Sequence, residues 1–474
     1  RVRAEMGRSL YMTVAFKDDP WPLKIHWTPP TGWMNDPNGF TQYKGAYHIF
    51  YQAYPYSADG GIKHWGHVVT NDFQQYTFLP PALYPQEFYD CQGCYSGSAI
   101  EKEQELCILY TGHVADRHPK EEQCLAKSRD GVHFEKHPGN PVIPHPACME
   151  EDFRDPYMWK KGEYYYCIIG SKWNSRGRVL LYRSRDLLSW EFVNVMLEGR
   201  ENQGDMWECP CLAEYPEGTL LLISPENREG IKHSSWYFTG ELDYETGRFL
   251  VEKEGRVDWG TEFYAPQMIN SGGRKLLLAW MDNWESEKKS REYQWAGALT
   301  YPREVKIQRG ELIMYPIEEI KKLRTPLLER RDWKLPAQTN VLDGLRCALF
   351  DLELEIPVQE LQKGKIDLAL RIGDIGDGIH IFLTCREAEI EIRESGEKRQ
   401  FCIHLGQTEK EWVSLRIIAD MSSIELFFNE GRINATYRMY LSAANDRLSL
   451  TAGIGRTLRK IALYRLEPLR FDFS

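Results

Sequence analysis

The sequence contains no long apolar run, and none of its stretches approaches the ~20 residues that a membrane-spanning helix needs. It also has no excess of positive charge, because 59 Lys and Arg residues stand against 69 Asp and Glu residues, for a net charge of −10. The start, Arg1 to Glu5, has basic residues but no apolar segment of the kind found in a signal peptide. We therefore expect no membrane and no nucleic-acid partner. Residue 1 is not Met, so a removed leader stays open.

Cysteine is present, but not with the spacing of a disulfide framework. The 11 cysteines are odd in number and scattered along the chain, which favours free thiols in a reducing compartment. The pair Cys91-x-x-Cys94 has no second such pair that would complete a zinc site. We predict a cytoplasmic protein without a metal site.

Helical periodicity is also scarce, and short runs of Val, Ile, Leu and Tyr bounded by Gly, Asn and Asp dominate. A polar turn followed by an apolar strand occurs five times, in residues 45–51, 104–110, 162–168, 218–223 and 274–280. The interval of roughly 55 to 60 residues is within reach of the longer blade periods of propellers. We predict an all-β protein in which residues 22–316 form a five-bladed β-propeller of four-stranded blades, after an N-terminal extension of residues 1–21. A β-sandwich is the competing architecture.

The character of the chain changes after Pro316. Residues 317–324 have the pattern of a short amphipathic helix, and residues 330–344 read as a charged linker that contains proline. Alternating strands follow over residues 345–474, which predicts a C-terminal β-sandwich with solvated outer faces. We expect this second domain to be a structural accessory.

Three short stretches carry a carboxylate beside a proline. They contain Asp36, Asp155 and Glu208, which lie nine, seven and ten residues before the repeated strand segments that begin at residues 45, 162 and 218. Each acid therefore has the same place in its blade, on the innermost strand whose end opens on the central channel. We predict that the three acids converge on one funnel, although they are remote from one another in the chain.

Two carboxylates on either side of a glycosidic bond can hydrolyse it with retention, because one attacks the anomeric carbon while the other protonates the leaving oxygen. The attacking group must be ionised and the acid must hold its proton, so their environments must differ. Asp36 follows Asn35 and lies near turn amides, and such hydrogen-bond donors favour an ionised carboxylate. Glu208 follows Trp207, and an apolar setting would raise its pKa.

The third acid, Asp155, directly follows Arg154 in the sequence. A neighbouring guanidinium group favours the ionised form of a carboxyl. We therefore expect Asp155 to stay charged, to fix sugar hydroxyl groups and to stabilise an oxocarbenium-like transition state.

The motifs resemble those of a known family. The stretches Trp33-Met34-Asn35-Asp36-Pro37-Asn38-Gly39, Arg154-Asp155-Pro156 and Glu208-Cys209-Pro210 look like the three hallmark motifs of glycoside hydrolase family 32, the β-fructofuranosidases. Further matches follow in order at residues 50–52, 64–67, 95–98, 263–267, 280–284 and 301–304. The resemblance implies a five-bladed propeller with a C-terminal β-sandwich. It also implies release of terminal β-D-fructofuranosyl residues with retention, through a fructosyl-enzyme and without metal or cofactor.

The same resemblance assigns roles to particular residues. Asp36 would be the nucleophile, Glu208 the acid/base and Asp155 the transition-state stabiliser. The residues expected to bind the substrate are Asn35, Gln52, Trp65, Tyr95, Ser96, Arg154, Tyr264 and Trp284. Taken singly, most of these would read as buried polar or core residues, and only their register with the acids favours function. Residues 59–62 stand where most members have a tryptophan, so one aromatic wall of the pocket is expected to be missing.

Several readings stay open beside hydrolysis. The same intermediate would serve a fructosyltransferase, and a non-catalytic fructan-binding protein could retain this fold. Related propeller enzymes that invert configuration lack the stretch around Asp36. The expected ligand is a small-molecule or oligosaccharide fructoside, and the sequence does not choose among sucrose, sucrose-6-phosphate and short fructans.

Overall fold

The computed structural model describes residues 19–147 and 150–474. Their β-strands form seven sheets, and the helices among them are short. These are α1 (Val358–Gln362) and the 3-10 helices Lys289–Tyr293, Glu318–Leu323 and Asn429–Gly431. The all-β prediction is confirmed. None of the helices in the described residues has the length and apolar character needed to cross a membrane.

Residues 32–316 form five sheets, each built mainly from one continuous stretch of chain. The first contains β1 (Gly32–Tyr43), β2 (Ala46–Tyr54), β3 (His64–Thr70) and β4 (Gln75–Leu83), and the second contains β5 (Cys94–Lys102), β6 (Glu105–His113), β7 (Glu121–Ser128) and β8 (Glu135–Lys136). The third contains β9 (Phe153–Lys161), β10 (Tyr164–Trp173), β11 (Arg176–Ser184) and β12 (Trp190–Glu198). The fourth contains β13 (Gln203–Tyr215), β14 (Gly218–Arg228), β15 (Ile231–His233), β16 (Trp236–Asp243) and β17 (Arg248–Arg256). The fifth contains β18 (Tyr264–Met268), β19 (Leu276–Trp280), β21 (Arg303–Gln308) and β22 (Glu311–Pro316), while β20 (Trp295–Ala296) pairs with β1 of the first sheet.

These five sheets are arranged as a closed ring. The first strands of the sheets contact one another in the order β1, β5, β9, β13 and β18, and β18 returns to contact β1. This is the architecture of a β-propeller, in which the first strand of each sheet lies innermost. The five repeated apolar segments of the sequence are the second strands, β2, β6, β10, β14 and β19. The acids precede them and therefore lie on innermost strands, as predicted.

The turns between the third and fourth strands of the first three sheets share one hydrogen-bond pattern. In each turn, a hydroxyl oxygen of Thr70, Ser128 or Ser184 accepts a bond of 2.9, 2.9 or 3.0 Å from the backbone N–H three residues later. Such side-chain turns fix a hairpin without needing a particular tertiary contact. The repeat that is visible in the sequence therefore has a local physical cause.

The remaining strands form two further sheets packed around their own apolar core. These strands are β23 (Arg324–Leu335), β24 (Phe350–Pro357), β25 (Ile366–Ile372), β26 (Gly378–Leu383), β27 (Glu387–Glu394), β28 (Glu397–His404), β29 (Trp412–Asp420), β30 (Ser423–Phe428), β31 (Ile433–Arg438), β32 (Arg447–Ala452) and β33 (Arg456–Leu466), whereas the last strand, β34 (Arg470–Phe473), belongs to the first sheet of the propeller. One sheet has the order β23-β33-β24-β29-β30-β31, and the other has the order β28-β27-β26-β25-β32. The predicted C-terminal β-sandwich is confirmed.

Two segments differ from the sequence-based expectation. Residues 330–335, at the start of the predicted linker, belong to β23, an edge strand of the sandwich whose Leu335 is buried in the core. The charged residues of this stretch suit an edge strand, where they face solvent and discourage pairing with another chain, which is why the pattern resembled a linker. The last strand, β34, pairs in parallel with β4 of the propeller, and Phe473 stacks on Phe78.

A buried cluster of charges joins the propeller to the sandwich. The two ring nitrogens of His26 lie 2.8 Å from Asp420 and 2.6 Å from Glu425, both on the sandwich. The guanidinium of Arg303 lies 2.6 Å from Glu425 and 3.2 Å from Asp258. All five side chains are almost completely removed from solvent, and every carboxylate faces a base.

Candidate active site

Each of the five innermost strands departs from regular pairing near the central funnel. The register shifts fall beside Met34 in β1, Tyr95 in β5, Glu208 in β13 and Tyr264 in β18, and opposite Ile168 for β9. A bulge bends its strand and re-aims the side chains beside it. The fold thus turns polar side chains from five separate strands into one space.

Backbone strain accompanies these bulges. Asp155, Cys209 and Ala265 have φ angles of 68°, 47° and 50°, in the left-handed region that non-glycine residues seldom adopt. Such a conformation costs about 1 to 3 kcal/mol and persists only where the surrounding structure enforces it. The strained residues lie on β9, β13 and β18. Asp155 is itself one of the three acids, and Cys209 contacts two of them.

The three predicted acids meet around one thiol. Sγ of Cys209 lies 3.4 Å from Oδ2 of Asp36 and 3.5 Å from Oδ2 of Asp155. The backbone N–H of Cys209 also donates to Oδ2 of Asp155 at 2.8 Å. Since Glu208 is the preceding residue, carboxylates from the first, third and fourth sheets share a single pocket. Burial and the charges of Asp155 and Asp36 hold the pKa of the Cys209 thiol well above its usual range.

Asp36 is held by two polar neighbours. Asn35 donates to its Oδ1 at 3.1 Å, and the hydroxyl of Ser96 donates to its Oδ2 at 2.9 Å. The indole N–H of Trp33 in turn fixes Asn35 by donating to its side-chain oxygen at 2.8 Å. Burial and the charge of Glu208 raise the pKa of Asp36, while the hydrogen bonds from Asn35 and Ser96 lower it. The donors expected from the sequence are present, but the net direction of the shift is upward.

Glu208 faces the pocket because its neighbour is trapped on the other side of the strand. The indole of Trp207 fills a slot in which a Cβ at Gly177 would lie 2.1 Å from the ring and a Cβ at Gly170 would lie 2.2 Å from the Trp207 carbonyl oxygen. Successive side chains of a strand point to opposite faces. With Trp207 fixed in the core, Glu208 has to point inward.

The setting of Glu208 is polar, contrary to the apolar setting expected from its sequence neighbours. Its Oε1 accepts bonds of 3.1 and 2.9 Å from Nε and Nη2 of Arg154, and its Oε2 accepts a bond of 2.5 Å from the hydroxyl of Tyr264. Arg154 is shared with three more carboxylates. They are Asp152 at 2.7 Å, Glu226 at 3.3 Å and Glu121 at 3.4 Å.

Asp155 also differs electrostatically from the expectation. Burial raises the pKa of Asp155, and the charges of Glu208 and Asp36 add to this, so that it reaches about 8 although Arg154 lowers it. The guanidinium forms its hydrogen bonds with Glu208, Asp152 and Glu121 instead of with Asp155. Asp155 was expected to stay charged beside Arg154, but its pKa is shifted in the direction that disfavours the charged form. Consecutive strand residues face opposite ways, and the three acids crowd together.

Three residues expected to bind substrate have side chains that contact neighbouring residues of the protein. Gln52 is 2% exposed and its amide donates to Asn38 at 2.8 Å and to the Cys94 carbonyl at 3.1 Å. Trp65 is fully buried, with its indole N–H donating to the Tyr95 carbonyl at 3.0 Å. The half-buried ring of Tyr95 stacks on His113 at 4.1 Å. These contacts support β1 and β5 from behind, so the side chains of Gln52 and Trp65 brace the pocket without facing it.

Trp284, which the sequence predicts to bind substrate, lies on the surface beside Trp33. It is 43% exposed and stacks on Trp33 with ring centroids 5.7 Å apart. The segment that lacks the expected tryptophan, residues 59–62, lies beside Trp33 and Lys63. A Cβ built at Gly60 would lie 3.4 Å from the Trp33 ring and 3.7 Å from Nζ of Lys63.

Sequence reasoning missed Cys209, Glu226 and Lys63 as parts of the site. Cys209 lies in the motif Glu208-Cys209-Pro210, in which only Glu208 was assigned a role. Glu226 lies on β14 and reaches the site only because β13 and β14 pair at Met206 and Glu226. Burial and the charge of Glu208 raise the pKa of Glu226 to about 7.

Potential metal ligands lie elsewhere in the described residues. Glu387, Cys402 and His404 offer ligand atoms within 4.8 Å of one another on the exposed hairpin β27–β28 of the sandwich. This hairpin belongs to the C-terminal sheets, whereas the acids belong to the propeller.

Comparison with known proteins agrees with this site. Residues 26–316 match the N-terminal domain of the glycosyl hydrolases family 32, and residues 319–464 match the C-terminal domain of that family. A raffinose invertase of Escherichia coli is 33% identical over 459 residues, which cover 93% of this chain and 94% of the relative. A sucrose-6-phosphate hydrolase of the same organism is 31% identical over 459 residues with the same coverage. The solved structure of a β-fructofuranosidase from Bombyx mori has a TM-score of 0.85 at 36% identity, covering 98% of this chain and 99% of that one.

The chain therefore belongs to glycosyl hydrolase family 32. Within this family it is a glycosidase of the β-fructofuranosidase type. The predicted family and enzyme class are both confirmed.

Proposed function

We propose that this enzyme releases terminal β-D-fructofuranosyl residues with retention of configuration, using Asp36 as the nucleophile and Glu208 as the acid/base. Asp36 attacks the anomeric carbon as Glu208 gives its proton to the leaving oxygen, which yields a fructosyl-enzyme and a free leaving sugar. Glu208 then takes a proton from water, whose oxygen attacks the same carbon and releases fructose and Asp36. Asp155 accepts hydrogen bonds from sugar hydroxyls beside the developing positive charge.

One observation carries this assignment: Cys209 contacts both Asp36 and Asp155 while its neighbour Glu208 faces the same pocket. The two reacting carboxylates have different partners, as their roles require. In the part of the chain that the structure describes, Asp36 accepts from the neutral donors Asn35, Ser96 and Cys209, whereas Glu208 lies in a group of acids that share one arginine. The guanidinium of Arg154 and the hydroxyl of Tyr264 both donate to Glu208, and these bonds fix its carboxyl group for proton transfer to the leaving oxygen.

We assign the physiological substrate to sucrose or its phosphate ester. The support is the agreement with relatives named raffinose invertase and sucrose-6-phosphate hydrolase and with a variant of the Bombyx mori enzyme that was solved in complex with sucrose. Catalysis belongs to the propeller of residues 22–316, and the sandwich of residues 345–474 supports it. A reducing, cytoplasmic location fits the ten free cysteines of the described residues.

Product stereochemistry tests the mechanism. Fresh enzyme is mixed with sucrose, and the anomer of fructose released first is followed by NMR before mutarotation. We expect β-fructofuranose first, and α-fructofuranose first would rule out Asp36 as a nucleophile.

Product analysis separates hydrolysis from its alternatives. Hydrolysis yields glucose and fructose in equal amounts even at high sucrose. A deficit of free fructose together with longer oligosaccharides would assign a fructosyltransferase. Tight binding of fructans without any turnover would assign a binding protein.

A further inference from the structure

Trp33 connects the nucleophile to the mouth of the pocket. Its indole N–H holds Asn35, which donates to Asp36, and its ring extends to the exposed Trp284. Three cationic groups lie close to this ring. Nζ of Lys63, Nζ of Lys288 and the guanidinium carbon of Arg291 are 5.1, 5.5 and 5.6 Å from its centroid.

Only two of the three cations are available to a ligand. The buried Lys288 donates to the carbonyls of Asn283 and Ser286 at 2.5 and 2.9 Å and lies 3.3 Å from Asp282. Its charge is therefore neutralised within the protein.

Lys63 is half-buried and is placed differently. Among residues 19–147 and 150–474, no carboxylate oxygen lies within 4.0 Å of its Nζ, and its ammonium group lies over the rings of Trp33 and Trp284. Arg291 is 43% exposed, and its carboxylate neighbour among the described residues is the exposed Asp59 at 3.8 Å. Such an exposed pair contributes little and yields readily to a stronger anion.

The opposite side of the site is acidic. Asp152 and Glu226, with side chains 38% and 32% exposed, lie around Arg154 on the third and fourth sheets. Lys63 and Arg291 belong instead to the β2–β3 connection and to the segment after β19. An anionic group on the leaving sugar would be repelled by the first side and attracted by the second.

We propose that Lys63 and Arg291 form an anion-binding subsite at the mouth of the pocket, which takes a phosphate monoester on the leaving hexose. A phosphate has enough oxygens to accept from an ammonium and a guanidinium at once, and both bonds are strengthened by charge. The exposed face of Trp284 offers apolar surface to the sugar ring that carries the phosphate. This subsite rests on the proposed function, because it would bind the leaving group of the reaction at Asp36.

The test compares two substrates that differ only in this charge, namely sucrose and sucrose phosphorylated on the 6-hydroxyl of its glucosyl unit. The quantity measured is the ratio of their kcat/KM values. We expect wild type to favour the phosphorylated substrate by about 10-fold or more, and Lys63→Met or Arg291→Met to lower the ratio by about 10-fold each. Lys63→Arg retains the charge and should keep most of the preference.

Two further variants sharpen the comparison. Lys44→Met is the matched control, because Lys44 also lies over an aromatic ring, that of Tyr43, but at the β1–β2 turn away from the acids. It should leave the ratio as in wild type. Asp59→Asn removes the competitor of the phosphate for Arg291 and should raise the ratio about twofold.

A wild-type ratio near one, or a ratio unchanged by Lys63→Met, would overturn the subsite while fructose release from sucrose still supports the proposed function. If neither substrate is turned over, the proposed function fails, and binding decides the subsite separately. Glucose 6-phosphate should then bind at least about 10-fold more tightly than glucose, and Lys63→Met should abolish the difference. Equal binding of inorganic phosphate and glucose 6-phosphate would overturn the assignment to a sugar phosphate.

Discussion

Two buried clusters of charge in this protein are built on opposite principles. In the cluster between the domains, His26 and Arg303 face Asp420, Glu425 and Asp258, so that each carboxylate has a cationic partner. In the pocket, the acids outnumber the bases. Arg154 is in contact with four carboxylates, whereas the hydrogen-bond partners of Asp36 within residues 19–147 and 150–474 include no cation.

The pKa shifts follow this difference. Burial raises the pKa of Glu425, but the charges of Arg303 and His26 outweigh it and lower the value to about 2. In the pocket, burial and like charges act together, and the pKa values of Asp36 and Asp155 rise. The first cluster stabilises the fold, whereas the second keeps protons available near neutral pH at a cost in stability.

The largest expected effect comes from neutralising an acid of the pocket, and it is an effect on activity. Asp36→Asn should lower kcat for fructose release by about four orders of magnitude or more, because no group remains to attack the anomeric carbon. The same change removes a charge from crowded acids, so the free energy of unfolding should stay equal or rise. Steady-state kinetics and urea denaturation measure the two effects. A strongly destabilised but active variant would contradict the contrast.

Neutralising an acid in the cluster between the domains should instead lower stability. Glu425→Gln leaves Arg303 and His26 buried with one partner fewer, and should lower the free energy of unfolding by about 3 to 5 kcal/mol. Glu409→Gln is the control, because Glu409 pairs with Arg309 at the surface, where an ion pair contributes about 1 kcal/mol or less. Denaturant unfolding compares the two variants. Equal losses of unfolding free energy in the two variants would show that burial does not determine how much an ion pair contributes to stability.

Removing the guanidinium that Glu208 shares with three other acids should shift the pH profile of activity. Arg154→Gln should lower kcat/KM by about 100-fold, since a charged donor to Glu208 is lost. The charge of Arg154 lowers the pKa of Asp155, so its removal raises that pKa. The limb on which activity rises with pH should therefore move to higher pH. A pH profile that is lowered but not shifted would contradict this coupling. The control is Arg183→Gln, at an exposed pair with Glu191, which should change neither kcat/KM nor the position of the pH profile.

The smallest expected effect concerns His26. Burial lowers the pKa of His26, but hydrogen bonds and charges of Asp420 and Glu425 outweigh this and raise it to about 9. Because the folded pKa lies above the unfolded one, this stabilisation is complete below pH 6.5 and is lost as the pH rises through 9. The difference in unfolding free energy between wild type and His26→Asn should shrink over that window. A difference independent of pH would show that His26 is not protonated in the fold.

Much of the fold could be predicted because its signals are local. The repeated apolar strands and the turns at Thr70, Ser128 and Ser184 depend on residues close together in the chain. The predicted linker was wrong where β23 forms, since an edge strand carries charges as a loop does. The pairing of β34 with β4 joins residues almost 400 positions apart, and no local pattern announces it.

The sequence by itself determined which residues could react and that they recur at one place in each blade, because motif and repeat spacing are properties of the chain. Only the tertiary structure decided the environment of each acid. Glu208 takes its setting from Arg154 and Tyr264, which are 54 and 56 residues away, instead of from Trp207 beside it. Alternate residues of a strand face opposite sides, so the groups that govern a carboxyl's proton come from other strands.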